Sequence, residues 1–134
     1  MAMSKSFGQQ PSQSSLAEAR DEVVGISMDV FERTGSVEAG HLVISALLSS
    51  GDPLESARAL PVAFAVSELD PVGLWSQRHL ADVLWETGQQ QKAMAMYERV
   101  LEIDSAREID SMRRLNDFDR AQVEQRLIKK PKKP

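Results

Sequence analysis

Residues 74–105 read LWSQRHLADVLWETGQQQKAMAMYERVLEIDS. This stretch decides the fold class: it reads as two antiparallel helices joined at Thr87-Gly88. On the first of them Trp75, Arg78, Asp82 and Glu86 follow steps of three and four, so they share one stripe of the helix surface.

Outside that hairpin the composition points the same way. The chain has 134 residues, 42% of them hydrophobic and 27% charged, as in an ordinary soluble globular domain. Aromatic residues are only 5%, so a core must rest on Leu, Val, Ile, Ala and Met, which favours helices over a sheet sandwich. The net charge of −4 gives no general reason to expect nucleic acid. Without Cys there is no disulfide, thiolate metal site or Cys nucleophile. Residues 1–15 are polar and lack the apolar run of a secretory signal, and no apolar run approaches the roughly 20 residues of a membrane span. A cytoplasmic location is the expectation.

In chain order, residues 1–15 form a Ser/Gln/Gly tail that is expected to be disordered, and 16–128 a single helical domain. Ser15 with Glu18 resembles a capping box, followed by a helix to about Thr34 with Leu16, Val23, Ile26, Val30 and Phe31 at helical steps. Gly25 is the candidate for a close helix approach, and Gly35 for the residue that ends this helix. Ser36 caps a second helix, about Val37 to Ser50. Gly51-Asp52-Pro53 stops it and starts a third, within which Pro61 predicts a kink or a break. Asp70-Pro71 ends that helix. Beyond the hairpin, 106–115 and 118–127 read as helical, with Asn116-Asp117 as a cap or bend between them. Residues 129–134, KKPKKP, form a basic tail. With no sustained strand-type alternation anywhere, the class is all-α.

The hairpin also has a faint copy. Leu69-Asp70-Pro71 and Ile103-Asp104-Ser105 stand 34 residues apart, and at that offset Ala59 matches Ala93 and Val66 matches Val100. With Leu80, Ala81, Gly88, Ala93 and Tyr97 at signature positions, residues 74–107 resemble a tetratricopeptide repeat, and residues 40–73 a degraded one. The departures are Gln77 and Leu84 at aromatic positions and Ser105 at the terminal Pro, and in the first copy Leu47, Ala63 and the foreign Pro61. The resemblance implies a short array of helix pairs. Two repeats fall below the three or so needed for a self-supporting stack. The N-terminal helix is therefore expected to cover one end, and 106–127 to cap the other, with Arg107, Glu108, Arg113, Arg114, Arg120, Glu124 and Arg126 facing solvent. Incomplete capping would favour a homodimer.

The resemblance further implies a ligand-holding face made by the first helix of each pair. It falls on His41, Ile44 and Leu48 in the first copy and on Trp75, Arg78, Asp82, Trp85 and Glu86 in the second. Each tryptophan has a core reading beside the binding one, and Arg78–Asp82 also reads as a plain surface ion pair. His41 and His79 lack a carboxylate at a ligand spacing, and His79 reads as a packing residue. Asp117-Phe118-Asp119 lacks the Gly and Glu of a calcium loop, and neither a phosphate loop nor a nucleophile elbow occurs. The sequence thus predicts a non-enzymatic adaptor or chaperone-like module, without metal, cofactor or small-molecule substrate, that takes a helix or extended segment of another protein. A self-assembling structural subunit is the alternative. A further one is a regulator that reaches acidic partners, nucleic acid or a membrane through the Lys tail.

Overall fold

The computed structural model describes residues 13–106 and 115–128. Within them the chain is all-helical, without a strand: α1 (Gln13–Thr34), α2 (Val37–Leu48), α3 (Pro53–Arg58), α4 (Leu60–Leu69), α5 (Leu74–Glu86), α6 (Gln90–Ala106) and α7 (Asp117–Ile128). The N-terminal tail up to residue 12, the 107–114 part of the expected cap with Arg107, Glu108, Arg113 and Arg114, and the Lys/Pro tail lie outside the described residues.

Local chemistry sets most of the boundaries. Ser36 caps α2, its hydroxyl accepting the Ala39 N–H at 3.2 Å. Asp52 caps α3 by accepting the Leu54 N–H at 2.9 Å, with Pro53 as the first helical residue. The expected break at Pro61 occurs at Ala59, between α3 and α4. A Pro ring clashes with the carbonyl four residues before it, so α3 cannot run on through Pro61, which instead opens α4 within its first turn. The hairpin turns at Thr87-Gly88, where Gly88 takes φ +84°, a left-handed conformation that any Cβ would strain. Asn116 caps α7, its side-chain oxygen accepting the Asp119 N–H at 2.8 Å. One boundary differs: α1 already begins at Gln13, so Ser15 lies inside the helix and is not its cap.

The helices pack in sequence. α1 lies on α2, α2 on α4 and α5, α4 on α5, α5 on α6, and α6 on α7. The core runs through all but the short α3, from Val24 and Val43 through Val62, Val66 and Leu74 to Leu80, Val83, Tyr97, Val100 and Val123. The residues paired at the 34-residue offset, Ala59 with Ala93 and Val66 with Val100, are all fully buried. The close helix approach falls at Gly40 rather than Gly25. A Cβ on Gly40 would overlap the Val66 Cγ2 methyl of α4 and lie 3.2 Å from two Phe31 ring carbons of α1. Gly25 has nothing within 4 Å of a built Cβ. Helical period alone cannot tell which glycine meets a neighbour; the tertiary crossing of α1, α2 and α4 decides it.

Candidate functional site

α5 carries the predicted stripe, and its two ends have different surroundings. At the N-terminal end Trp75 is 43% exposed. The Arg78 guanidinium lies 5.4 Å from the Trp75 ring centroid, within cation–π range, and the His79 ring lies 6.4 Å from it. His79 in turn packs on His41 of α2, ring centroids 4.8 Å apart. Below them runs a polar chain. The Ser76 hydroxyl donates to Asp70 Oδ2 at 2.7 Å, and His41 Nε2 lies 2.9 Å from the same hydroxyl. Because the Ser76 proton is committed to Asp70, the hydroxyl oxygen accepts from His41 Nε2–H. The order is therefore His–Ser–Asp, with the Ser76 proton held by a carboxylate and not by the imidazole that accepts it in a Ser–His pair.

Burial lowers the pKa of both histidines. For His41 burial outweighs the opposing pull of Asp70 and Glu38. His79 is pushed down to about 4 by burial first, then by the neighbouring His41 and Arg78 charges. His79 is therefore neutral at pH 7, and the two tilted rings do not repel one another. Among the described residues no group of three His, Asp or Glu side chains is placed to hold a metal ion.

At its C-terminal end the stripe is covered. α7 lies across it, and the two helices share a charged network. Arg78 Nη1 stands 2.8 Å from Asp119 Oδ1, and Arg78 Nη2 donates to the Gln122 side-chain oxygen. Arg126 reaches Asp82 at 3.1 Å and Glu86 at 3.6 Å, and donates to the Tyr97 hydroxyl. Its guanidinium also lies 5.2 Å from the Trp85 ring centroid and 5.7 Å from that of Tyr97. Beneath these contacts α5 and α6 are joined directly by Tyr97, which donates its hydroxyl to Asp82, and within α5 Arg78 Nε lies 3.6 Å from Asp82. Burial raises the Asp82 pKa despite the Tyr97 hydrogen bond and the two arginines. The Tyr97 hydroxyl is driven well above its usual range, by burial and then by Asp82, so it remains a donor. A second tie fixes α7 to α6: buried Asp104 accepts the Leu115 N–H at 2.7 Å and pairs with Arg120.

Of the predicted site residues, the structure brings Arg78, Asp82, Trp85 and Glu86 together under α7 and leaves Trp75 open beside His41. Arg78 is buried, so the plain surface ion pair with Asp82 does not describe it. Leu48 is half-buried. Ile44 is fully buried in the core, where α2 meets its neighbours, and has no surface to offer a partner. Arg120 and Arg126 turn inward rather than to solvent, because Asp104 and Asp82 draw them onto α6 and α5. The sequence reading missed Tyr97, Asp119 and Gln122 as members of this site. The available signal was Asp119, Gln122 and Arg126 at helical steps around Val123, the buried residue of α7.

Comparison with family models, with curated proteins and with solved structures gives no match for this chain. Among the described residues no helix is long and apolar enough to cross a membrane.

Proposed function

We propose that the chain is a non-enzymatic protein-interaction module, adaptor or chaperone-like, whose α5 stripe receives a helical segment of another protein in the cytoplasm. The observation that carries this reading is the stripe itself. One half already holds a helix through paired charges, and the other half presents Trp75 without such a cover, backed by the His41–His79 ring pair. Helix-in-groove recognition uses this combination of an aromatic anchor and charges that set register. The tetratricopeptide-like stacking is part of the same reading. It is supported by the equivalent burial of Ala59 with Ala93 and Val66 with Val100, and by α5 packing on α2 and α4 of the preceding unit. No metal, cofactor, small-molecule substrate, nucleic acid or membrane enters this proposal.

The test is capture of partners from the source lysate with wild type, Trp75→Ala and His41→Ala. A protein retained by wild type and lost with Trp75→Ala is expected. Identical recovery by all three would refute the open half of the stripe as the contact.

A second reading, a self-assembling subunit, has its own observation. Leu16, Val23 and Ile26 are 48%, 45% and 61% exposed and lie along one side of α1, at the edge of the strip that carries the buried Val24 and Ser27. Light scattering of wild type against Val23→Asp/Ile26→Asp separates the two readings. An oligomer that the substitutions dissociate supports self-assembly; a monomer in both leaves the interaction module.

A further inference from the structure

The partner's chemistry is legible in α7. We propose that α7 is a resident, exchangeable ligand of the α5–α6 groove. The groove's external ligand is then an amphipathic helix carrying an acidic, an amide, an apolar and a basic side chain at positions i, i+3, i+4 and i+7. That is the order of Asp119, Gln122, Val123 and Arg126. This inference deepens the interaction-module reading and rests on it.

Three observations support it. First, each of the four groups meets a partner on α5 or α6 or enters the core. Asp119 and Gln122 engage Arg78, Arg126 engages Asp82, Glu86 and Tyr97, and Val123 is fully buried. Second, α5 and α6 are paired with each other without α7. Tyr97 donates to Asp82, and Arg78 lies beside Asp82 on the same helix, so a departing helix leaves these groups paired with each other. Leu80, Val83, Leu84, Ala93 and Val100 hold α5 to α6 independently of it. Third, α7 is weakly committed. It has 12 residues, a length at which a helix alone is marginal in water. Its large apolar residues Phe118 and Ile128 are 78% and 79% exposed. Beside the buried Val123 and the tie of Asp104 to Leu115 and Arg120, its attachment to α5 is charge pairing, which adds register and little net stability because each ion gives up hydration to form it. A helix held in this way yields to a competitor with the same four groups.

A tethered copy competes at an effective concentration near the millimolar range, which weakens any ligand added in trans. The probe is a fluorescent synthetic peptide of residues 115–128. It is titrated against the full chain as wild type and as Val123→Asp/Arg126→Glu, whose own α7 cannot dock. The expected result is binding at least about tenfold tighter to the variant than to wild type. The same peptide carrying Arg126→Glu should bind neither. Equal affinity for both chains, or no binding to a variant whose α7 amides exchange freely with deuterium, overturns the proposal.

If the variant fails to fold, hydrogen exchange of wild type decides. The α7 amides are expected to exchange at least about a hundredfold faster than those of Leu84 and Val100, through local opening. Exchange at the same rate as those core amides refutes an exchangeable helix. The two levels of the reading fail separately. A negative peptide result with Trp75-dependent partner capture intact removes only the α7 proposal. Loss of the Trp75 dependence with positive peptide binding removes only the open half of the stripe.

Discussion

Two glycines, Gly25 and Gly40, give opposite predictions from the same substitution. In a helix interior, Gly→Ala ordinarily stabilises by about 0.5–1 kcal/mol, because alanine loses less backbone freedom on folding. Gly25 lies inside α1, exposed, with nothing within 4 Å of a built Cβ. Gly25→Ala should therefore gain about that amount. Gly40 lies inside α2 under the same propensity rule, yet its Cβ would overlap the Val66 Cγ2 methyl. Val66 is fully buried and β-branched, so its methyl cannot swing away cheaply. On the far side the Phe31 ring is already 3.2 Å from the same point. Overpacking of this kind costs about 1–3 kcal/mol, which outweighs the propensity gain and leaves Gly40→Ala destabilised by about 1–2 kcal/mol. Urea unfolding followed by far-UV circular dichroism reads both, and the expected gap between the two variants is about 2 kcal/mol. Two variants shifted in the same direction would refute the crossing of α1, α2 and α4 at Gly40.

Other consequences are equally open to measurement. The Asp104 carboxylate is buried and accepts the Leu115 N–H while pairing with Arg120, so Asp104→Ala should cost about 2 kcal/mol in denaturant unfolding. His79 has a folded pKa of about 4 against an ordinary 6.5, so between those values the unfolded chain binds the extra proton. Its contribution is thus intact above about pH 6.5 and lost as pH falls towards 4, to a total of about 3 kcal/mol. The stability difference between wild type and His79→Gln, measured from pH 7 to pH 4, should shrink accordingly; a flat difference would count against the burial of this ring. A Cβ on Gly73 would overlap the Asp70 carboxylate. Gly73→Ala should therefore pull Asp70 away from Ser76, cost about 1–3 kcal/mol and shift the NMR resonances of His41, whereas an unchanged His41 spectrum would contradict the polar chain.

Most helix boundaries were legible because their causes are local. Ser36, Asp52-Pro53, Gly88 and Asn116 each act on backbone groups within a few residues, so a single sequence contains the whole interaction. The stripe on α5 was legible for the same reason, since helical period alone aligns Trp75, Arg78, Asp82 and Glu86. What covers it was not. Arg78 meets Gln122, and Asp82 meets Arg126, each across 44 residues of chain, and no local rule encodes that return. A charge on a helix reads as solvated until another helix is brought over it, which is why Arg126 was placed on the wrong side. Ile44 was misplaced for a related reason. A repeat alignment assigns faces by register, whereas α2 in this chain is enclosed by α1, α4 and α5, and Ile44 is fully buried.

Whether the α5–α6 groove receives a helix is read by chemical-shift mapping. The isotope-labelled full chain carrying Val123→Asp/Arg126→Glu is titrated with the unlabelled 115–128 peptide. Shifts are expected to concentrate at Arg78, Asp82, Trp85, Glu86 and Tyr97, with the Trp85 indole among the largest. Shifts confined to α1 or to the α3–α4 side, or none at peptide saturation, would contradict it.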